Sequence, residues 1–148
     1  MLAQTGLTYH EPVAIAPFVN FTLTFNPGAA FSFLGDAGGW QRWLFIGIGV
    51  VVSAILVVWL VRLPRERGCG LPLALALLIG GALGNVWDRI VIGMVVDFID
   101  VHWRGWHWPA FNVADSAITM GAALLVIVSI RAEMRPTDAN PPQGGEVP

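Results

Sequence analysis

The stretch LPLALALLIGGALGNVWDRIVIGMVVDFIDVHWRGWHWPAFNVADSAITMGAALLVIVSI, residues 71–130, places two apolar runs on either side of one aromatic-rich loop. Leu71 to Val91 begins rich in leucine and alanine and turns glycine-rich and polar toward its end. Phe111 to Ile130 opens with Asn112 and Asp115 and then becomes apolar. Each run is long enough to cross a bilayer as a helix. A chain that crosses and returns must leave Asp97 and Asp115 on the same side, where apolar sequence meets polar. Carboxylates at such a boundary are costly unless they have a partner or work to do.

Leu44 to Val61 is a further uncharged apolar run, with Trp40 and Trp43 at one end and Trp59 at the other, as interfacial aromatics sit. Three spans are expected, over about 43–62, 71–92 and 111–131. Gly80 and Gly84 form a small-xxx-small pair that lets another helix approach. The composition agrees: 55% of the 148 residues are hydrophobic and 12% charged, against about 25% charged in a soluble domain. All eight basic residues are arginine, and the net charge of -2 offers nucleic acid nothing. The single Cys69 excludes an internal disulfide, and no histidine–cysteine grouping has zinc-ligand spacing, so no metal site is expected.

Arg62, Arg65 and Arg67 fill the turn between the first two runs, and Arg131 and Arg135 follow the last. By the positive-inside rule these regions are cytoplasmic, which puts the Asp97–Asp115 loop outside. The N-terminal segment lies there too, and its period is that of a strand. Val19, Phe21, Leu23 and Phe25 alternate with Asn20, Thr22, Thr24 and Asn26; Pro27-Gly28 is a turn signal, and Phe31 and Phe33 resume the alternation. A small β-cradle over 18–34 is expected on the outer surface. The proline- and glycine-rich tail, 136–148, reads as disordered and cytoplasmic.

The second run ends in polar residues. On a helix Asn85 shares a face with Asp88 and Arg89. Lying a turn deeper than either, Asn85 needs a hydrogen-bond partner. Asp100 sits nearer the loop and reads as solvated. Trp103, Trp106 and Trp108 read as an interfacial belt. His102 and His107 have no serine or cysteine nucleophile to serve. Asn112 with Asp115 three residues on is a helix-start pattern that needs no function. That pattern does not explain a second acid across the same loop. Two carboxylates sharing a site cannot both ionise cheaply. One would take a proton from water while the other protonates the carbonyl under attack, and the protons belong to the pair. Asn26, Asn85, Arg89 and Asn112 are the polar groups available to hold the aspartates or a substrate backbone.

These pieces, in this order, resemble the lipoprotein signal peptidases (signal peptidase II), bacterial aspartic peptidases of the inner membrane. The likeness rests on Asn26-Pro27-Gly28-Ala29-Ala30-Phe31-Ser32, on Gly80 through Arg89, on Val95-Val96-Asp97-Phe98 and on Phe111-Asn112-Val113-Ala114-Asp115, and covers roughly residues 18–132. The resemblance implies an all-α membrane bundle with a small extracytoplasmic β-cradle, within one peptidase domain, 1–135. It implies cleavage of prolipoprotein signal peptides just before a diacylglyceryl-modified cysteine. Asp97 and Asp115 would be catalytic, with Asn26, Asn85, Arg89 and Asn112 in support. No metal or organic cofactor is implied; the partners are prolipoproteins, membrane lipids and globomycin-type inhibitors. The family has four spans, the first bearing an aspartate and a lysine. Met1 to Pro17 holds no apolar run long enough to span, and the chain has no lysine, so three spans are expected here. The alternatives are a catalytically impaired truncated paralogue, a presenilin-type protease, whose Gly-x-Gly-Asp element is not found, and a non-enzymatic binding or transport module.

Overall fold

The computed structural model describes residues 2–28, 33–64 and 68–134. Phe31, Arg65, Arg67, Arg135 and the tail 136–148 lie outside the described residues. The elements run α1 (Leu2–Gly6), β1 (Val13–Ala16), β2 (Val19–Asn26), α2 (Trp40–Val61), α3 (Gly70–Val91), β3 (Val95–Trp103), β4 (Trp106–His107) and α4 (Val113–Glu133). Helices α2, α3 and α4 are long and apolar enough to cross a membrane, with mean hydropathies of 2.9, 1.6 and 2.0 over their most apolar stretches.

Helix α3 is the central member and packs on both α2 and α4. It supplies most of the helical core through Leu71, Ala74, Leu75 and Val86. The outward faces of α2 and α4 expose Val51, Ile55, Val126 and Ile130, the arrangement lipid requires. Helices in lipid gain their association from close packing, so small residues mark the contact. Here Gly81 and Gly84 face α4. A Cβ on Gly81 would run into the Ala114 carbonyl and lie 2.7 Å from Ile118 Cγ1, and one on Gly84 would meet Ala114 Cβ at 3.2 Å. The expected Gly80–Gly84 pair is corrected: a Cβ on Gly80 would meet no described residue within 4 Å. The contact uses an i, i+3 row instead of i, i+4.

The four strands form one antiparallel sheet in the order β1-β2-β3-β4. Strand β2 falls where the alternation places it and buries Leu23. Its partners differ from expectation. Phe33 lies in a turn, and β2 pairs with β1 and with β3, from Val19↔Val101 to Asn26↔Val95. The segment between α3 and α4 is therefore a strand and a short hairpin, with Val95 and Val96 in the core. The N-terminal segment also carries the one-turn helix α1, which the strand reading of that segment omits.

Arg42 Nη2 donates to the Ile90 carbonyl at the end of α3. Arg89 Nη2 donates to the Gly28 carbonyl beyond β2. The N–H groups of Phe98 and Ile99 both donate to the Phe111 carbonyl just before α4. The first tie joins α2 to α3, and the others seat the sheet at the end of the bundle where α3 finishes and α2 and α4 begin.

Candidate active site

Each polar group at that end is placed by a local feature of its own element. Asn112 adopts an extended backbone (φ -126°, ψ -179°) and caps α4. Its Oδ1 accepts from the Asp115 N–H at 3.0 Å, and Asp115 Oδ2 accepts from the Asn112 N–H at 3.2 Å. This reciprocal capping box satisfies two helix-end donors and fixes the Asp115 side chain. The helix-start pattern read from the sequence is therefore present.

The Asn112 amide group then reaches across. Its Nδ2 donates to Asp97 Oδ1 at 2.8 Å and to Asn85 Oδ1 at 3.2 Å. Asn85 Nδ2 in turn donates to Asp115 Oδ1 at 2.7 Å. Two carboxamides thus join the two carboxylates, and the partner that Asn85 requires is supplied. Loss of Asn112 should be felt twice. Asn112→Ala is expected to remove about 1 kcal/mol of helix capping and to cut kcat at least about tenfold by freeing Asp97. Thermal unfolding and turnover on the same preparation measure the two effects.

Asp97 is only 3% exposed. Burial pushes its carboxyl up to about 6 from the ordinary 3.8. Hydrogen bonds from Asn112 and Asn26 and the charge of Arg89 work against that rise, and the negative charge of Asp115 adds to it. A carboxyl that holds its proton so readily beside a second carboxyl is equipped for acid–base work.

Arg89 staples the site together. Its Nη2 bonds the Gly28 carbonyl at 2.7 Å, its Nη1 the Asn85 carbonyl at 3.2 Å, and the guanidinium lies 5.1 Å from the Phe45 ring centroid. Gly28 donates to Asn26 Oδ1 at 2.9 Å, closing the turn after β2. A Cβ on Gly28 would strike the Phe33 carbonyl oxygen, so only glycine fits this turn.

Asn26, Asn85, Arg89, Asp97 and Asp115 all line one cavity of about 720 Å³, and Asn112 stands behind the two aspartates. All six residues singled out from the sequence therefore converge. The cavity wall formed by Trp108, Pro109, Ala110 and Phe111 was missed as a site element. The tryptophan belt masked it, because an interfacial Trp and a cavity Trp look alike in sequence. Asp100 is a correction. It is buried and bonded to Asn20 and His107, where a solvated residue was expected. Asp88 is likewise engaged, accepting from the Val96 N–H at 3.2 Å. Among the described residues no cluster of three metal-ligating side chains occurs.

Comparison with known proteins gives consistent results. A family model described as signal peptidase (SPase) II matches residues 1–131. A lipoprotein signal peptidase of Acinetobacter baumannii is 56% identical over 126 residues, covering 85% of this chain and 71% of the relative. One from Pseudomonas aeruginosa is 57% identical over 132 residues, covering 88% and 78%. Among solved structures, a bacterial membrane enzyme determined by the in meso method at 2.3 Å superposes with a TM-score of 0.82 at 31% identity, covering 94% of this chain and 82% of that one.

Proposed function

The chain belongs to the signal peptidase II family, and from that premise we propose that Asp97 and Asp115 together activate the water with which it cleaves lipoprotein signal peptides. It is an aspartic-type endopeptidase and a multi-pass membrane protein. The observation that carries the site assignment is the pair of carboxamides, Asn85 and Asn112, linking the two carboxylates on one cavity.

Cleavage runs from the form of the dyad that holds one proton. Its ionised carboxylate takes a proton from water as the water oxygen attacks the scissile carbonyl carbon. The protonated carboxyl delivers its proton to the carbonyl oxygen, giving a neutral tetrahedral diol. The pair then passes its proton to the leaving nitrogen and takes one back from a diol hydroxyl as the C–N bond breaks, which releases the carboxylic acid and the amine and leaves a single shared proton on the dyad. Asn85 and Asn112 keep both carboxyls aimed inward, while Arg89 holds the turn that follows Asn26, a residue of the cavity wall.

In this reading residues 1–135 form one peptidase unit, and the sheet and cavity face the periplasm of a bacterial inner membrane. The arginines after α2 and α4 support that orientation. The substrate is a prolipoprotein cut just before its diacylglyceryl cysteine, and globomycin occupies the same cavity. The test is incubation of the chain in lipid with a diacylglyceryl-modified prolipoprotein, followed by mass spectrometry. A product beginning at the lipidated cysteine, abolished by globomycin, is expected. Cleavage elsewhere, or equal cleavage of the unlipidated substrate, would reject the assignment.

A further inference from the structure

A second titratable cluster sits on the sheet, outside the six residues above. Asp100 on β3 is buried, and its Oδ2 accepts from Asn20 Nδ2 on β2 at 2.9 Å. His107 Nδ1 on β4 lies 2.8 and 3.0 Å from the two Asp100 oxygens. An ionised carboxylate can only accept, so Nδ1 carries the proton in this contact. The His102 ring stacks on His107 with centroids 5.1 Å apart. Burial alone would raise the Asp100 carboxyl, but the hydrogen bonds from His107 and Asn20 outweigh it and hold the group below the ordinary carboxylate range. One side-chain chain therefore crosses three strands.

Its position is what gives it a role. Strand β4 has two residues and two register pairs with β3, His102↔His107 and Trp103↔Trp106. A pairing so short has little stability of its own. The next residues along the chain, Trp108 to Phe111, form the cavity wall. The far end of that wall is fixed by the Ile99–Phe111 bridge and by Asn112. Its near end is fixed by the Trp108 N–H bond to the Val101 carbonyl and by the His107–Asp100 contact. The aspartates have their own supports in Asn85 and Asn112.

We propose that Asn20, Asp100 and His107 are positioning residues that hold the Trp108–Phe111 wall against the sheet, and so set how tightly the peptide substrate binds rather than how fast its bond is cut. This rests on the peptidase reading of the cavity. A wall that contacts substrate equally in ground and transition states changes KM and leaves kcat alone.

The test compares His107→Leu, His107→Asn and Asp100→Asn in the full chain in lipid, with a diacylglyceryl-modified prolipoprotein peptide as substrate. Asparagine places an amide donor where Nδ1 was; leucine keeps the bulk and loses the donor. His107→Leu is expected to raise KM about tenfold with kcat within about twofold of wild type. His107→Asn should recover most of the loss. Asp100→Asn, which keeps the shape but weakens the charge-assisted bond, should fall between them and serves if His107→Leu does not accumulate. Equal KM in all forms, a parallel loss of kcat, or no difference between the leucine and asparagine variants would overturn the proposal. An Asp97→Asn control separates the two ideas: cleavage that survives it defeats the dyad, whereas a dead control beside an unmoved KM in His107→Leu defeats only the positioning network.

Discussion

Asp97→Asn is expected to stop cleavage and at the same time raise the melting temperature. The loss should be at least about a thousandfold, because the substitution removes one of two groups that move protons at the scissile bond. Asp115→Asn should do the same to activity. The stability gain is particular to Asp97. Its carboxyl is held at about 6 in the fold against 3.8 in the unfolded chain, chiefly by burial. The folded state therefore binds the proton more tightly, and ionisation above that value costs the fold ~3 kcal/mol. The penalty is complete at neutral pH, shrinks as pH falls through about 6, and is gone below the unfolded value. A carboxamide at this position never ionises, and its Oδ1 can still accept from Asn112. The variant should thus be more stable than wild type at pH 7.5, with the two curves meeting near pH 4. Thermal unfolding across that range, in lipid, reads the difference. Retained cleavage, or a stability gap that widens toward low pH, would remove Asp97 from its role.

Gly81→Val should cut activity on the order of a hundredfold through geometry alone. The Cβ it adds falls on the Ala114 carbonyl, and the Ile118 backbone nitrogen is 3.1 Å away, so rigid backbone and not a mobile side chain must give way. Forcing α4 off α3 costs about 1–3 kcal/mol or more. It also draws Asp115, the next residue after Ala114, away from Asn85 one turn beyond Gly81. A displacement of about 1 Å between catalytic groups costs on the order of a hundredfold in rate. Gly80→Ala is the matched control. A Cβ there meets no described residue within 4 Å, so turnover and unfolding temperature should both stay near wild type. If Gly81→Val behaved like Gly80→Ala, the close α3–α4 approach would not be what aligns the dyad.

Much of the site was legible because it is written locally. The capping box needs only Asn112 and Asp115 at their spacing, and the shared helix face of Asn85 and Arg89 needs only the helical period. The small-residue contact was half legible. The pattern of glycines announced a close helix partner, but which row faces it depends on the rotation of α3 about its axis, and rotation is settled by packing. Asp100 was misread for a related reason. Nothing near it in sequence distinguishes a solvated loop acid from a buried one; of its two partners, Asn20 lies 80 residues away, and His107 reaches it only because β4 folds back on β3.

The three apolar helices, the common side of Asp97 and Asp115 and the helix start at Asn112 are all written in the chain, since hydropathy, crossing parity and capping act over a few turns. Three features come from packing instead: β2 pairs with the inter-helix strand, Asn85 and Asn112 join the two carboxylates, and Trp108–Phe111 wall the cavity. Those features depend on strand register and helix rotation, which are fixed by contacts between residues far apart in sequence and leave no periodic trace in either segment alone.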